Sequence, residues 1–313
     1  MSNLGSQNKG KLALLITTLL WGGTFSLISN ALHDSSPLVF ITFRFSVALL
    51  IFFPFIYKDL AKIQAYDLYA GLILGLIYFA SFAFQTIGLK TTSATKSAFI
   101  TGSFVVFTPM IQLVMEKRRP TAGNIAGIIL VISGLIVLSS KGNSFFSVIN
   151  EIGNGFSIGD FLTLVCAFLY SLYIVYLDMI SHKISNYKIL IFLQIAVSAI
   201  GGAFCMLAFN YTGIETSFYS LSGRLLIAVI YTSIFATVIT TFLQTKYQKL
   251  VSPTQAGIIF SFEPVFAAIF AVFIMQTETL TFVSVIGGLF IFSGLLISEL
   301  LDKRRMNYAE NAG

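Results

Sequence analysis

Gly127-Ile-Ile-Leu-Val-Ile-Ser-Gly-Leu-Ile136 is echoed late in the chain by Gly287-Gly-Leu-Phe-Ile-Phe-Ser-Gly-Leu-Leu296. Neither stretch alternates apolar with polar residues, as a membrane β-strand would, so both read as helices surrounded by apolar solvent. The echo extends upstream. A proline falls mid-segment in each half, at Pro109 and Pro264, and Leu20-Trp-Gly-Gly-Thr-Phe25 stands against Leu169-Tyr-Ser-Leu-Tyr-Ile174. Such internal resemblance implies duplication of one unit.

A membrane-spanning helix needs roughly 20 mostly apolar residues. Ten such runs follow one another at 11–31, 36–57, 67–89, 95–115, 121–140, 157–179, 188–209, 222–245, 252–276 and 279–301. The connections are short except for 141–156 and 210–221, which are polar. Five spans per unit is an odd number, so the second copy enters the membrane from the opposite side. The expected fold is therefore an all-α integral membrane protein of two inverted five-helix repeats, 11–140 and 157–301. Solutes bind near the midplane between such halves.

Composition agrees. Of 313 residues, 56% are hydrophobic and only 10% charged, with mean hydropathy +0.88. A soluble domain carries about 25% charged residues. The net charge of +6 does not point to nucleic acid, because the basic residues sit in short clusters between apolar runs.

Those clusters alternate. One side of the membrane receives Lys9, Lys11, Lys58, Lys62, Lys117, Arg118, Arg119, Lys183, Lys188, Lys246, Lys249, Lys303, Arg304 and Arg305. The other receives Lys90, Lys96, Lys141 and Arg224. Fourteen against four is the positive-inside pattern, and it places both termini in the cytoplasm of a multi-pass inner-membrane protein. Lys9 and Lys11 before an apolar run imitate a signal peptide, but more spans follow, so 11–31 is read as a retained helix. Cys166 and Cys205 lie in apolar runs and read as packing residues.

Charges inside the spans carry the functional argument. Arg44 lies about 12 Å from the start of its helix at 1.5 Å per residue, a depth that costs at least a few kcal/mol unless the charge is paired or faces water. Lining a solute cavity, snorkelling and structural pairing are all open to it. Glu263 falls near the middle of the ninth span. It could carry a coupling proton, pair with Arg44 or fix helix packing. Pro109 and Pro264 are expected to bend their helices by leaving the carbonyls of Val105 and Phe260 without donors. Kinked spans in corresponding halves point to gating elements. Trp21, Tyr78, Phe82 and Gln85 supply aromatic and amide groups for a pocket, as do Gln112, Tyr173, Gln194 and Gln244, with Tyr170 and Tyr231 as further members. Tyr78, Phe82 and Gln85 share one helix face. Gly71-x-x-x-Gly75 permits close helix approach and reads as packing.

Catalytic patterns are missing from the text. His33 and His182 are the only histidines and stand near helix ends, so no H-E-x-x-H zinc site can form. No Walker A loop occurs, Asp160 and Asp178 lie near span ends, and no cofactor is expected. An intramembrane enzyme and a passive channel are the rival readings to a carrier.

Three motifs carry a family resemblance: Trp21-Gly22-Gly23-Thr24-Phe25 in the first span, Phe43-Arg44-Phe45 in the second, and Glu263-Pro264-Val265-Phe266-Ala267-Ala268 with Glu278 in the ninth. Their order and spacing resemble the drug/metabolite transporter superfamily, in particular its EamA-type ten-helix members, over residues 11–301. Tyr170-Ser171, where the family often has Trp-Ala, and Lys117-Arg118-Arg119-Pro120 at the end of the fourth span depart from it. The resemblance implies export or exchange of amino acids, related metabolites or drugs by alternating access. The implied partners are a small-molecule substrate, a coupling proton or ion, and the bilayer.

Overall fold

A computed structural model describes residues 2–139, 157–184, 186–273 and 282–311. Glu278 and the connection 141–156, with Lys141, lie outside the described residues. Among the described residues eight helices are long and apolar enough to cross a bilayer: Gly5–Ala31, Pro37–Phe55, Ala65–Gly88, Lys96–Glu116, Ile158–Ser181, Tyr187–Thr212, Gly223–Leu250 and Pro253–Phe270. Two shorter apolar helices, Ala122–Val137 and Val285–Ser298, complete the ten expected spans. Hydrophobic side chains point outward along them, among them Leu50, Val114, Phe204 and Phe282. Lipid accepts such surface, while each helix satisfies its own backbone.

Glycines set the closest approach between the halves. A Cβ on Gly127 would stand 2.7 Å from the Gly294 carbonyl oxygen, and one on Gly134 would stand 2.7 Å from that of Gly287. Residue 127 therefore meets 294 while 134 meets 287, so the fifth and tenth spans cross antiparallel through the repeated motif itself. Each half contributes the same residues to the contact, which is the signature of a two-fold relation. Gly71 and Gly75 likewise admit Leu193 and Val197 of the seventh span. Gly22 does so for the ninth, since its Cβ would lie 2.5 Å from Phe266 Cβ.

Four spans are interrupted. The first breaks at Gly23, the fourth at Gly102–Ser103 between Ala94–Thr101 and Phe104–Glu116, and the ninth at Ser261–Phe262 between Pro253–Phe260 and Glu263–Phe273. In the eighth, Ile234–Ile239 widens into a π-helix between Gly223–Ser233 and Thr240–Tyr247. The fourth and ninth spans, equivalent in the two halves, thus both break. The breaks do not sit at the prolines: Pro109 lies within Phe104–Glu116, and Pro264 is the second residue of its segment. The ninth-span break falls in the turn before Pro264, where the missing N–H leaves the Phe260 carbonyl without its donor, whereas the fourth-span break lies ahead of Val105, the carbonyl that Pro109 deprives.

The halves are tied at both ends. On the face rich in lysine and arginine, Thr254 Oγ1 donates to Gln112 Oε1 at 2.6 Å and Ser298 Oγ to Asn124 Oδ1 at 2.9 Å. On the opposite face Asp34 receives Arg224 at 3.0 and 3.1 Å, and Lys96 Nζ stands 2.6 Å from Asp160. The short bridge Ser35–Tyr219 and the Ser220 N–H to Asp34 carbonyl bond, 2.7 Å, hold the loop after the seventh span against the first hairpin. That helix runs to Thr212, beyond the expected 209.

Candidate functional site

A cavity lies between the halves where the broken spans meet. Rings of Trp21, Phe82, Phe104 and Tyr170 form its walls, and the Glu263 carboxylate projects into it. Thr24, Ser81, Gln85 and Thr101 add polar groups, and Cys166 an apolar sulfur. The first, third and fourth spans supply one side, the sixth and ninth the other. Trp21 meets Tyr170 edge to face at 5.5 Å between ring centres and packs on Phe260 at 5.1 Å. Trp21 and Tyr170 hold corresponding places in the two repeats, as Gly127 and Gly287 do.

Local backbone chemistry places the carboxylate. The segment Pro253–Phe260 ends, Ser261 turns its hydroxyl back to the Gly257 carbonyl at 2.9 Å, and a new helix opens on Glu263. A glutamate in a helix's first turn sits among free N–H groups, where negative charge is favoured. Glu263 is 6% exposed, and among the described residues its carboxylate has neither a hydrogen bond nor an ion pair. The cavity volume is about 20 Å³. About 10–15 Å³ admits one water, so the space as it stands is too small for a metabolite.

Arg44 is 1% exposed and stands behind the cavity wall. Its Nε donates to Thr237 Oγ1 at 2.9 Å and its NH2 to the Ala236 carbonyl at 3.0 Å. Both acceptors belong to the π-helical turn, whose widened ladder leaves backbone carbonyls open to outside donors. The guanidinium carbon lies 4.5 Å from the Phe82 ring centre and 5.2 Å from that of Phe45. Ser233 Oγ returns a bond to the Arg44 carbonyl at 2.8 Å. The charge is thus solvated by neutral groups of the second and eighth spans, and Glu263 is not among its partners.

Toward the basic face the buried tyrosines and amides are hydrogen-bonded in neighbouring chains. Tyr170 donates to Gln244 Oε1 at 2.7 Å, Gln244 to Gln248 at 2.8 Å, and Gln248 to the Ile174 carbonyl at 2.7 Å. Tyr173 donates to Gln194 at 2.7 Å, whose amide reaches Thr245 at 3.3 Å, and Tyr78 shares a 2.9 Å bond with Thr241. Satisfied chains of this kind fix side chains firmly, because breaking one link strands its neighbours in a low dielectric.

A model of the EamA-like transporter family matches residues 8–140 and again 157–300. The chain belongs to the EamA-like transporter family. Two proteins of Archaeoglobus fulgidus described as uncharacterized transporters are similar to it. One is 31% identical over 92% of this chain and 85% of its own length, and the other 27% identical over 93% and 97%. A solved crystal structure superposes with a TM-score of 0.73 at 17% identity, over 95% of this chain and 98% of that one, a likeness of fold alone.

Within this EamA-like architecture the residues expected at the site separate into groups. Trp21, Phe82, Gln85 and Glu263 come together around the cavity, with Tyr170. Arg44 and Tyr78 sit one layer behind it, and Tyr173, Gln194 and Gln244 belong to the hydrogen-bonded chains below. Gln112 lies farther off, bonded to Glu116 at 3.0 Å and to Thr254. Tyr231 instead donates to the Leu20 carbonyl at 2.9 Å. The ninth-span break falls in the turn before Pro264, and the fourth-span break lies farther ahead of Pro109. Sequence reading missed Thr24, Ser81, Thr101, Phe104 and, as a lining group, Cys166. A small hydroxyl in an apolar helix carries no visible signal, since it can always bond its own backbone, as Ser81 does to the Ile77 carbonyl at 2.7 Å.

Proposed function

We propose that this membrane transporter is a secondary carrier, which moves a small polar metabolite by alternating access around the cavity at Glu263. The observation that carries the reading is a cavity at the interface of two inverted halves, tied across both membrane faces by polar contacts. A carrier must open each face in turn, and only a solute with different affinity for the two states can drive that exchange. The broken fourth and ninth spans are the elements suited to absorb the motion, with two inverted units of the sequence, 11–140 and 157–301, rocking against each other. The lysine- and arginine-rich face lies in the cytoplasm, so both termini are cytoplasmic and the protein sits in the inner membrane. Trp21, Phe82, Gln85 and Glu263 contact the solute. Arg44, Tyr78, Tyr173, Gln194, Gln244 and Gln112 position the cavity walls and the ties between the halves.

Counterflow in proteoliposomes tests this. Substrate on the far side should accelerate uptake of labelled substrate several-fold. Uptake indifferent to trans substrate would indicate a channel, and chemical alteration of the compound an enzyme. Either result ends the carrier reading.

A further inference from the structure

The cavity has one carboxyl group, that of Glu263, and no lysine, arginine or histidine among its lining residues. The nearest guanidinium, Arg44, is spent on Thr237 and Ala236 and screened by the Phe82 ring. A carboxylate held away from water without a partner is costly and draws in either a proton or a cation. Four aromatic rings line the same space, and ring faces attract a desolvated organic cation but do nothing for a compact hydrated anion. From this juxtaposition we infer that the solute site is built for an organic ammonium cation carrying an apolar or aromatic group, its charge on Glu263 and its body against Trp21, Phe104 and Tyr170. The inference rests on the carrier reading for its place in transport, but the binding site stands by itself. Arg44 shields the far side of Phe82, so the ammonium seats at the Trp21–Glu263 end. An anionic group finds no countercharge anywhere on the wall, which sets a cation apart from a zwitterion of the same size. As it stands the space admits only water, so the cation enters as the halves part.

The chain holds a single tryptophan, Trp21, and it lines this cavity, so fluorescence excited to the red of tyrosine absorption reports on it alone. Purified protein in neutral buffer is titrated with benzyltrimethylammonium, phenylalanine, phenylacetate and benzyl alcohol. The expected result is a saturable change in emission for the cation, at least tenfold weaker for the other three. Glu263→Gln should weaken cation binding tenfold or more. Tyr170→Leu should weaken it while Tyr170→Phe restores it, a comparison that remains decisive if the Glu263 variant folds poorly. Equal responses to phenylalanine or benzyl alcohol, no saturable response to the cation, or full cation binding by a folded Glu263→Gln protein would each overturn the assignment. Counterflow separates the two claims. Cation binding without counterflow overturns the carrier and leaves the site. Counterflow of a zwitterion that ignores Glu263→Gln overturns the site and leaves the carrier.

Discussion

Gly127 of the fifth span and Gly294 of the tenth meet backbone to backbone, each so placed that a Cβ on one would stand 2.7 Å from the carbonyl oxygen of the other. The contact is reciprocal because the two residues belong to the two copies of one motif. Helix association in lipid depends on such close packing, since no hydrophobic drive separates helix from lipid tail.

Gly127→Ala and Gly294→Ala are therefore expected to destabilise the protein by similar amounts, roughly 1–3 kcal/mol each, as overpacking does. Alanine's better helix propensity works the other way by about 1 kcal/mol, too little to offset a clash with backbone. Gly5→Ala has open space around its Cβ and serves as the control. Melting temperatures in detergent check this. Stability unchanged in Gly127→Ala would mean the spans do not cross there.

Arg44 and Glu263 share no contact, so their substitutions should act independently. In a double-mutant cycle, the stability losses of Arg44→Ala and Glu263→Gln should add within about 0.5 kcal/mol. Arg44→Ala and Thr237→Val should instead couple by roughly 0.5–3 kcal/mol, because they sever one 2.9 Å bond. Coupling with Glu263 and additivity with Thr237 would reverse the assignment of partners.

The clasp on the lysine-poor face depends on pH. The Ser222 hydroxyl, 2.6 Å from Asp34 Oδ2, and the Arg224 guanidinium beside it hold the Asp34 carboxyl below the ordinary carboxylate range. A depressed folded value means the stabilisation is complete above the unfolded pKa of about 3.9 and is lost as pH falls through the lower folded value. The melting temperature of wild type should thus fall more than that of Asp34→Asn when pH drops from 6 toward 3. Parallel acid profiles for the two proteins would show that the clasp contributes nothing.

Orientation is testable by labelling. Thr216 and Gln64 are exposed at opposite faces, whereas Gln248 is 1% exposed and bonded to Ile174, so it makes a poor reporter. With Cys205→Ser to remove the half-buried thiol, a cysteine at Thr216 should react with an impermeant reagent on intact cells. A cysteine at Gln64 should react only after lysis. Labelling of Gln64 from outside inverts the topology.

Ten spans, their inversion and their basic face were all legible in the sequence. Each rests on transfer of whole segments between water and lipid, an energy additive along the chain and so visible in composition and charge. The repeat showed itself in Gly127–Gly134 and Gly287–Gly294, but the sequence could not say that the copies pack on each other. Trp21, Glu263 and Arg44 stood out because aromatic and charged groups are rare and expensive at membrane depth. Which of them face the same space depends on how helices rotate and cross, a property of pairs of spans. Only the tertiary structure placed Arg44 on the π-helical turn with Thr237 and Ala236, because a loosened backbone ladder leaves no mark in residue identity. It alone left Glu263 without a partner among the described residues in an aromatic cavity, because which side chains share a space depends on how the spans cross.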